Sequence, residues 1–300
     1  MRKHAYLIIA HNNLAILEIL LNLLDYNKND IFIHLDKKSQ INIEDIKLKN
    51  KKSNIYIYKE LNIKWGDFSQ IQTELFLLKK ARETDKYQYY HLISGVDMPL
   101  KTQEEIHNFF DKHDGKEFIH FYCKEPQQSI KNRVEYRHIF VKFKSFKKNK
   151  FLQMMDTICV KIQKLVRIKY NIKNIQYGAN WFSITNELVE YVLEKKKWIK
   201  KMFKYSCCGD EVFLQTVVNN SKFKDRLYHR GYDNDYHACM RLIDWTRGAP
   251  YIYKTDDYNL LINSDFLWAR KFDENVDFQI VKKIYNSLIC KNRNIEEKYE

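Results

Sequence analysis

The stretch "SCCGDEVFLQTVVNN", Ser206 to Asn220, sets two acids, Asp210 and Glu211, behind a glycine and ahead of an apolar run. Two chemistries fit that placement. An acid at a helix start accepts backbone N–H bonds and complements the macrodipole. One acid suffices for that, and Asp210 is the better placed. The other chemistry is proton transfer: a Glu211 carboxylate facing a cleft is a candidate general base for a hydroxyl within hydrogen-bond reach.

The chain has only seven glycines and three prolines, so their positions carry information. Gly66 lies in "KWGDFS", Gly95 in "ISGVDMP", Gly178 in "YGANWF" and Gly209 in "CCGDE". Gly231 lies in "HRGYDND", and Gly248 with Pro250 in "TRGAPY". Trp65, Trp181 and Trp245 fall in or beside these segments. Singly, each reads as a turn next to a core aromatic. Together they point to a carbohydrate-handling cleft, because glycine allows close ligand approach and indole faces stack on sugars.

Other constellations carry less. "YDNDYH" holds a literal Asp-x-Asp, Asp233 and Asp235, which reads either as a metal site or as a polar loop. Neither G-x-G-x-x-G nor G-x-x-x-x-G-K-[ST] occurs, which disfavours dinucleotide oxidoreductases and P-loop NTPases. The six cysteines form no C-x-x-C pair and read as reduced thiols. The ten histidines show no ligand spacing, and His34 reads as a strand residue.

Three hundred residues with 45% hydrophobic and 15% aromatic content are enough for a substantial core. The formal charge of +14 favours anionic partners. Much of it lies in two tracts, Lys142 to Lys150 and Lys161 to Lys173. Between Phe151 and Ile168, apolar residues recur at helical spacing with Lys161, Lys164 and Arg167 among them. Such a helix either lies on anionic headgroups or packs its apolar side on its own domain, which is the commoner fate.

The candidate residues are set among alternating strand and helix patterns. "HAYLIIA", "DIFIHLD", "NIYIYKE", "YYHLISG" and "EFIHFY" predict strands. "LAILEILLNLLDY", "SQIQTELFLLKKARE" and "TQEEIHNFFDKH" predict helices, the last opened by a Thr-x-x-Glu capping box. The alternation predicts an α/β fold with a central, mostly parallel sheet flanked by helices. Ligands then bind beyond the carboxyl ends of the strands, where "HNN", "HLDKK" and "SGVDMP" fall. A single domain over 1–300 is expected, with a nucleotide-sugar-binding half (1–125), a basic helical insertion (126–175) and an acceptor or catalytic half (176–300).

"FIHLDKKS", "KWGDFSQIQTELFLLKKA", "YYHLISGVDMPLKT", "GANWFSITNELVEYV", "GDEVFLQTVV", "LIDW" and "LWARKFD" occur in this order from about Tyr6 to Asp277. In that order they resemble the core-2/I-branching β-1,6-N-acetylglucosaminyltransferases, a family that also contains peptide O-xylosyltransferases and bacterial members. The resemblance implies a GT-A-like (Rossmann-like) glycosyltransferase fold and inverting transfer from a UDP-sugar without a bound metal or other cofactor. It implies Glu211 as general base, with Asp210 capping and orienting. It implies Lys271, with Arg270 beside it, as the cations that meet the departing diphosphate, and a second cation near Arg247. Asp36 matches a uridine-contacting acid, with Ala10 and His11 nearby. Trp65, Asp97, Asn180, Trp181, Asp210 and Trp245 are the candidates for sugar and acceptor contacts. Asp97 is the one acid at the place where GT-A folds carry their metal-binding Asp-x-Asp.

The expected partners are a UDP-sugar donor, most simply UDP-N-acetylglucosamine, and a surface glycan or lipid-linked oligosaccharide acceptor. Peripheral contact with an anionic membrane is expected, and nucleic acid is not. "MRKHAYLIIAHNN" has too short an apolar block for a signal peptide and no cleavage site, which predicts a cytoplasmic chain, on the inner face of the membrane where it meets its acceptor. Three alternatives remain: a metal-dependent transferase of another UDP-sugar such as xylose, a basic nucleic-acid-binding protein, and a catalytically silent relative that binds glycans.

Overall fold

The computed structural model describes residues 2–47, 52–143 and 145–299, with side chains described to 291. Lys144 of the first basic tract lies outside the described residues. The chain opens with β1 (His4–Ala10), α1 (Leu14–Leu23), β2 (Asn29–Leu35) and β3 (Asn54–Tyr58). Then come α2 (Ser69–Thr84), β4 (Tyr89–Ser94), β5 (Asp97–Pro99), α3 (Gln103–Lys112) and β6 (Phe118–Ile119). The middle of the chain is helical: α4 (Gln128–Glu135) and α5 (Lys150–Leu165) precede β7 (Phe182–Thr185), and α6 (Asn186–Glu194), α7 (Lys196–Phe203) and α8 (Phe213–Asn219) follow it. β8 (Arg241–Ile243), α9 (Tyr258–Ile262), β9 (Trp268–Arg270) and α10 (Phe278–Tyr299) complete it.

Six strands form the main sheet in the order β3-β2-β1-β4-β7-β6. The first four run parallel, and β7 runs antiparallel to both of its neighbours. This is the α/β, Rossmann-like architecture the strand pattern predicts, with two refinements. Of "EFIHFY", only Phe118 and Ile119 pair with β7, while Glu117 makes an isolated parallel bridge to Leu227. The segment also reaches the sheet through β7, not directly.

Successive β1 residues serve opposite faces, as the two-residue period of a strand requires. Ala5 and Leu7 pack with Ile71, Leu75 and Leu78 of α2. Tyr6 and Ile8 pack with α1 leucines and with Ile106 and Phe110 of α3. Helices on both sides explain why β1, β2 and β4 read as continuous apolar runs. The α3 capping box forms as expected: Glu105 N–H donates to Thr102 Oγ1 at 3.2 Å, and Thr102 N–H donates to Glu105 Oε2 at 2.7 Å.

From β1 the chain steps outward through β2 and β3, then returns to the other side of β1 as β4. The crevice at such a reversal is where open α/β sheets bind ligands. A small second sheet, β5-β9-β8, begins just past the carboxyl end of β4 and pairs Asp97 with Arg270. No described helix is long and apolar enough to cross a membrane.

Candidate active site

At the carboxyl ends of β1, β2 and β4 the chain segments are packed tightly. Gly95 N–H donates to the Ile9 carbonyl at 3.0 Å, and a Cβ on Gly95 would lie 2.7 Å from that of Ala10. Asp36 N–H donates to the Ala10 carbonyl at 2.9 Å. The Asp36 carboxylate then closes its own loop, accepting from Lys38 N–H at 3.1 Å and Ile63 N–H at 3.3 Å. His11 sits among these groups. Burial lowers its pKa, Asp36 opposes this, and the charges of Arg270, Lys271 and Lys38 lower it further. Five of the predicted nucleotide-end residues, Ala10, His11, Asp36, Arg270 and Lys271, therefore converge, with Lys38 added.

The cations differ in how committed they are. Arg270 Nη1 donates to Asp97 Oδ1 at 2.7 Å and to Ser94 Oγ, and the guanidinium lies 4.4 Å over the Trp181 ring. Its Nε and Nη2 make no hydrogen bond among the described residues, so one edge remains for a ligand. The Lys271 ammonium has no hydrogen-bond or ion-pair partner among them. Arg247 departs from the sequence expectation. It is bound to Asp244 at 2.5 Å and Asp257 at 2.7 Å and lies 4.0 Å over Tyr251. Two carboxylates already neutralise it.

The second focus is the Gly209–Glu211 turn, a single 3₁₀ turn entered through Cys208 at φ 51°. Cys208 N–H donates to the Gly66 carbonyl at 2.8 Å, which ties "KWGDFS" to "CCGDE". Gly178 N–H donates to the Glu211 carbonyl at 2.9 Å. A Cβ on Gly178 would lie 1.9 Å from the His120 carbonyl, so only glycine fits there. Arg133 Nη1 donates to Glu211 Oε2 at 3.0 Å, and the Glu211 side chain remains 43% exposed. Burial raises the Glu211 pKa, and the Arg133 charge pulls it back only in part.

Asp210 does not cap a helix, which corrects the expectation. α8 begins at Phe213, after the 3₁₀ turn, and takes no side-chain cap. Asp210 turns inward instead, 5% exposed, and Oδ2 accepts from Gln70 Nε2 at 2.8 Å. Its Oδ1 has no partner among the described residues. Burial and the Glu211 charge push it up to about 7. Beneath it lies Glu74 of α2, 1% exposed with neither carboxylate oxygen bonded among the described residues, its pKa raised well above the ordinary value by burial and by Asp210. Sequence reasoning missed Glu74 and Arg133. The first left one signal, an acid inside the apolar stretch "IQTELFLL"; the second left none.

The other sugar and acceptor candidates fall around these two centres. Trp181 is buried under Arg270, and Asp97 is buried against it. Trp245 is half-exposed beside Tyr236, whose phenol also feels the Glu211 charge. Trp65 is half-exposed with Lys147 4.6 Å over its ring, in a small cleft shared with Lys38 and Phe143. The Asn180 side chain, beside Trp181, makes no hydrogen bond among the described residues.

The late Asp-x-Asp is engaged elsewhere. Asp233 pairs with His229 at 2.9 Å and Asp235 with His237 at 2.6 Å. Among the described residues no group of three His, Cys, Asp or Glu side chains is arranged to hold a metal ion.

Residues 4–268 match the family model described as Core-2/I-Branching enzyme. The chain is 22% identical over 298 residues to xylosyltransferase 2 of Rattus norvegicus, covering 93% of this chain and 33% of that protein. It is 23% identical over 299 residues to a β-1,3-galactosyl-O-glycosyl-glycoprotein β-1,6-N-acetylglucosaminyltransferase of Bos taurus, covering 91% of this chain and 66% of that protein. The chain thus spans about a third of the length of the xylosyltransferases it matches. Among solved structures, mouse xyloside xylosyltransferase 1 in its apo form aligns with a TM-score of 0.38 at 12% identity, over 90% of this chain and 97% of that one. With nearly its whole length under one family model, the chain belongs to the Core-2/I-Branching enzyme family.

Proposed function

We propose that this protein is an inverting glycosyltransferase that moves a sugar, N-acetylglucosamine first among candidates, from a UDP-sugar to a hydroxyl of a growing surface glycan. One observation carries the reading: a half-exposed carboxylate, Glu211, shares one molecule with a cation group, Lys271 and the free edge of Arg270, at the strand-end crevice. Names in the family support the reaction class, since its matched relatives include an N-acetylglucosaminyltransferase.

In this reading the acceptor oxygen attacks the anomeric carbon from the face opposite the diphosphate, and Glu211 takes its proton. The glycosyl C–O bond breaks, and its electron pair leaves with UDP. Lys271 and Arg270 stabilise the charge that develops on the diphosphate, the role a divalent ion plays elsewhere. Asp36, Ala10 and His11 form the uridine end. Asp97 fixes Arg270 from beneath, and Trp181 stacks on it. Trp245 and Trp65 supply faces for sugar rings. The acceptor is a polysaccharide or lipid-linked oligosaccharide, met in the cytoplasm at the inner membrane face. No metal takes part.

The test is UDP release from a panel of UDP-sugars with the wild type and Glu211→Gln. Preference for UDP-N-acetylglucosamine, lost in the variant with UDP affinity retained, supports the reading. An active Glu211→Gln protein removes Glu211 as base. A second reading, transfer of xylose, is favoured by the match to rat xylosyltransferase 2, and the same panel separates the two.

A further inference from the structure

Helix α5 is attached inside out. Gln153, Asp156 and Gln163 lie on one side of it, and that polar side meets the protein. Gln153 Nε2 donates to the Phe146 and Lys147 carbonyls at 3.0 Å each. Asp156 holds His138 Nδ1 at 2.6 Å and accepts the Phe140 N–H at 3.4 Å. Gln163 exchanges two hydrogen bonds with the Arg137 backbone, at 2.9 and 3.0 Å. Asp156 is the one buried residue of the helix.

The opposite side is apolar and faces outward. Phe151, Met154, Ile158, Ile162 and Leu165 follow one another at spacings of three and four, which puts them in one stripe. They are between 43% and 83% exposed, and Val166 and Ile168 extend the exposure past the helix end. Residues 142–173 carry ten Lys and Arg against one acid, Asp156, and that acid is turned inward. Lys161 is exposed beside the stripe, and Lys164, also exposed, sets its ammonium 5.4 Å over the Tyr136 ring.

An apolar stripe of this length in water carries a cost that some partner must remove. A second copy would set the same positive charge against itself. A nucleic acid would match the lysines and leave the aliphatic stripe wet. A bilayer with anionic headgroups matches both, the stripe entering the acyl boundary while the lysines stay among phosphates. Sixteen residues make the helix too short to span it. We propose that α5 is an in-plane anchor that seats this protein on an anionic phospholipid bilayer. The anchor adjoins the site: His138, pinned to α5, follows α4, whose Arg133 holds Glu211. Docking would bring the cleft to the membrane surface, where lipid-borne acceptors lie. That consequence rests on the transfer reading above, and the docking itself does not.

Cosedimentation of the full chain with extruded vesicles tests it, comparing phosphatidylcholine alone with phosphatidylcholine containing phosphatidylglycerol. Binding to the anionic vesicles that weakens with salt is expected. Ile158→Ser/Ile162→Ser/Leu165→Ser should lower that partitioning about a hundredfold or more. Replacing Lys161 and Lys164 by Gln should lower it about fivefold per lysine. These positions are exposed and outside the cleft, so UDP-sugar turnover in the same samples should be unchanged. The proposal is overturned if the triple variant binds as well as wild type, or if neutral vesicles bind equally. It is also overturned if the apolar stripe mediates a dimer that the triple variant abolishes without any vesicle binding. Wild-type protein that binds the anionic vesicles but turns over no UDP-sugar counts against the transfer reading alone.

Discussion

Arg133 and Glu211, 78 residues apart, meet through a 3.0 Å charge-assisted hydrogen bond that holds the proposed base with its side chain half-exposed. Burial raises the Glu211 pKa above the usual carboxylate value, and Arg133 opposes that rise. The ionised base is therefore present only above the raised pKa, which sets the acid limb of kcat/KM. Arg133→Ala should move that limb to higher pH, and Glu211→Gln should cut turnover by about 10²- to 10⁴-fold. A pH–rate profile checks both; an unmoved limb in Arg133→Ala would separate it from Glu211.

Lys271 and Arg270 should differ in what they lose. Lys271→Ala removes a cation with no protein partner among the described residues, so UDP affinity should fall with little change in Tm. Arg270→Ala leaves the buried Asp97 unpaired, which typically costs about 3–5 kcal/mol, so it should lower both. Calorimetric titration with UDP beside thermal melts distinguishes the pair. Equal melting behaviour would mean Asp97 does not depend on Arg270.

Asp210 makes folding pH-dependent in an unusual direction. Its folded pKa of about 7 lies above the unfolded value, so the native state binds the extra proton. Stability from this group is present below the unfolded pKa and declines as pH rises toward and through 7. Asp210→Asn should flatten that decline and be relatively more stable at pH 8, by a few kcal/mol at most. Denaturant midpoints measured across pH 4 to 8 on both proteins check it; parallel curves would contradict it.

The attachment of α5 should weaken with alkali. Burial works most strongly against a charged His138, but its bonds to Asp156 and to the Asn132 carbonyl, with the Asp156 charge, together outweigh burial and raise the pKa. The contribution is full below the ordinary histidine value and is lost as pH rises through the raised one. Hydrogen exchange in α5, corrected for intrinsic rate, should quicken over that range in wild type and not in Asp156→Asn. A flat wild-type profile would show that the polar pins act independently of charge.

Metal dependence is open to a direct test. With Asp233 and Asp235 each bound to a histidine, turnover should survive a chelator, and Asp235→Asn should leave it intact. Reversible loss on chelation would favour the metal-dependent alternative.

The strands and helices of residues 4 to 112 were legible because burial on two faces leaves a simple trace in the sequence, and the capping box is local. The convergence of His11, Asp36, Arg270 and Lys271 was an implication of the family resemblance, which no local pattern around any one of them shows. Arg133 left no signal, and three further features were not readable. Asp210 reads as a cap because nothing in the sequence marks a 3₁₀ turn ahead of Phe213. Arg247 gained two carboxylate partners, one of them ten residues on. Periodicity located the apolar side of α5, but it says only which residues share a side, not which side turns inward.

Strand β7 has a consequence for synthesis. It supplies the pairing edge for β4, yet it is made some ninety residues later. While the ribosome works through the intervening stretch, the β4 border is bare, an open invitation to off-pathway pairing. The nascent protein completes its central layer only when Phe182–Thr185 emerges, so fragments ending before that point should be poor folders however well their own helices form.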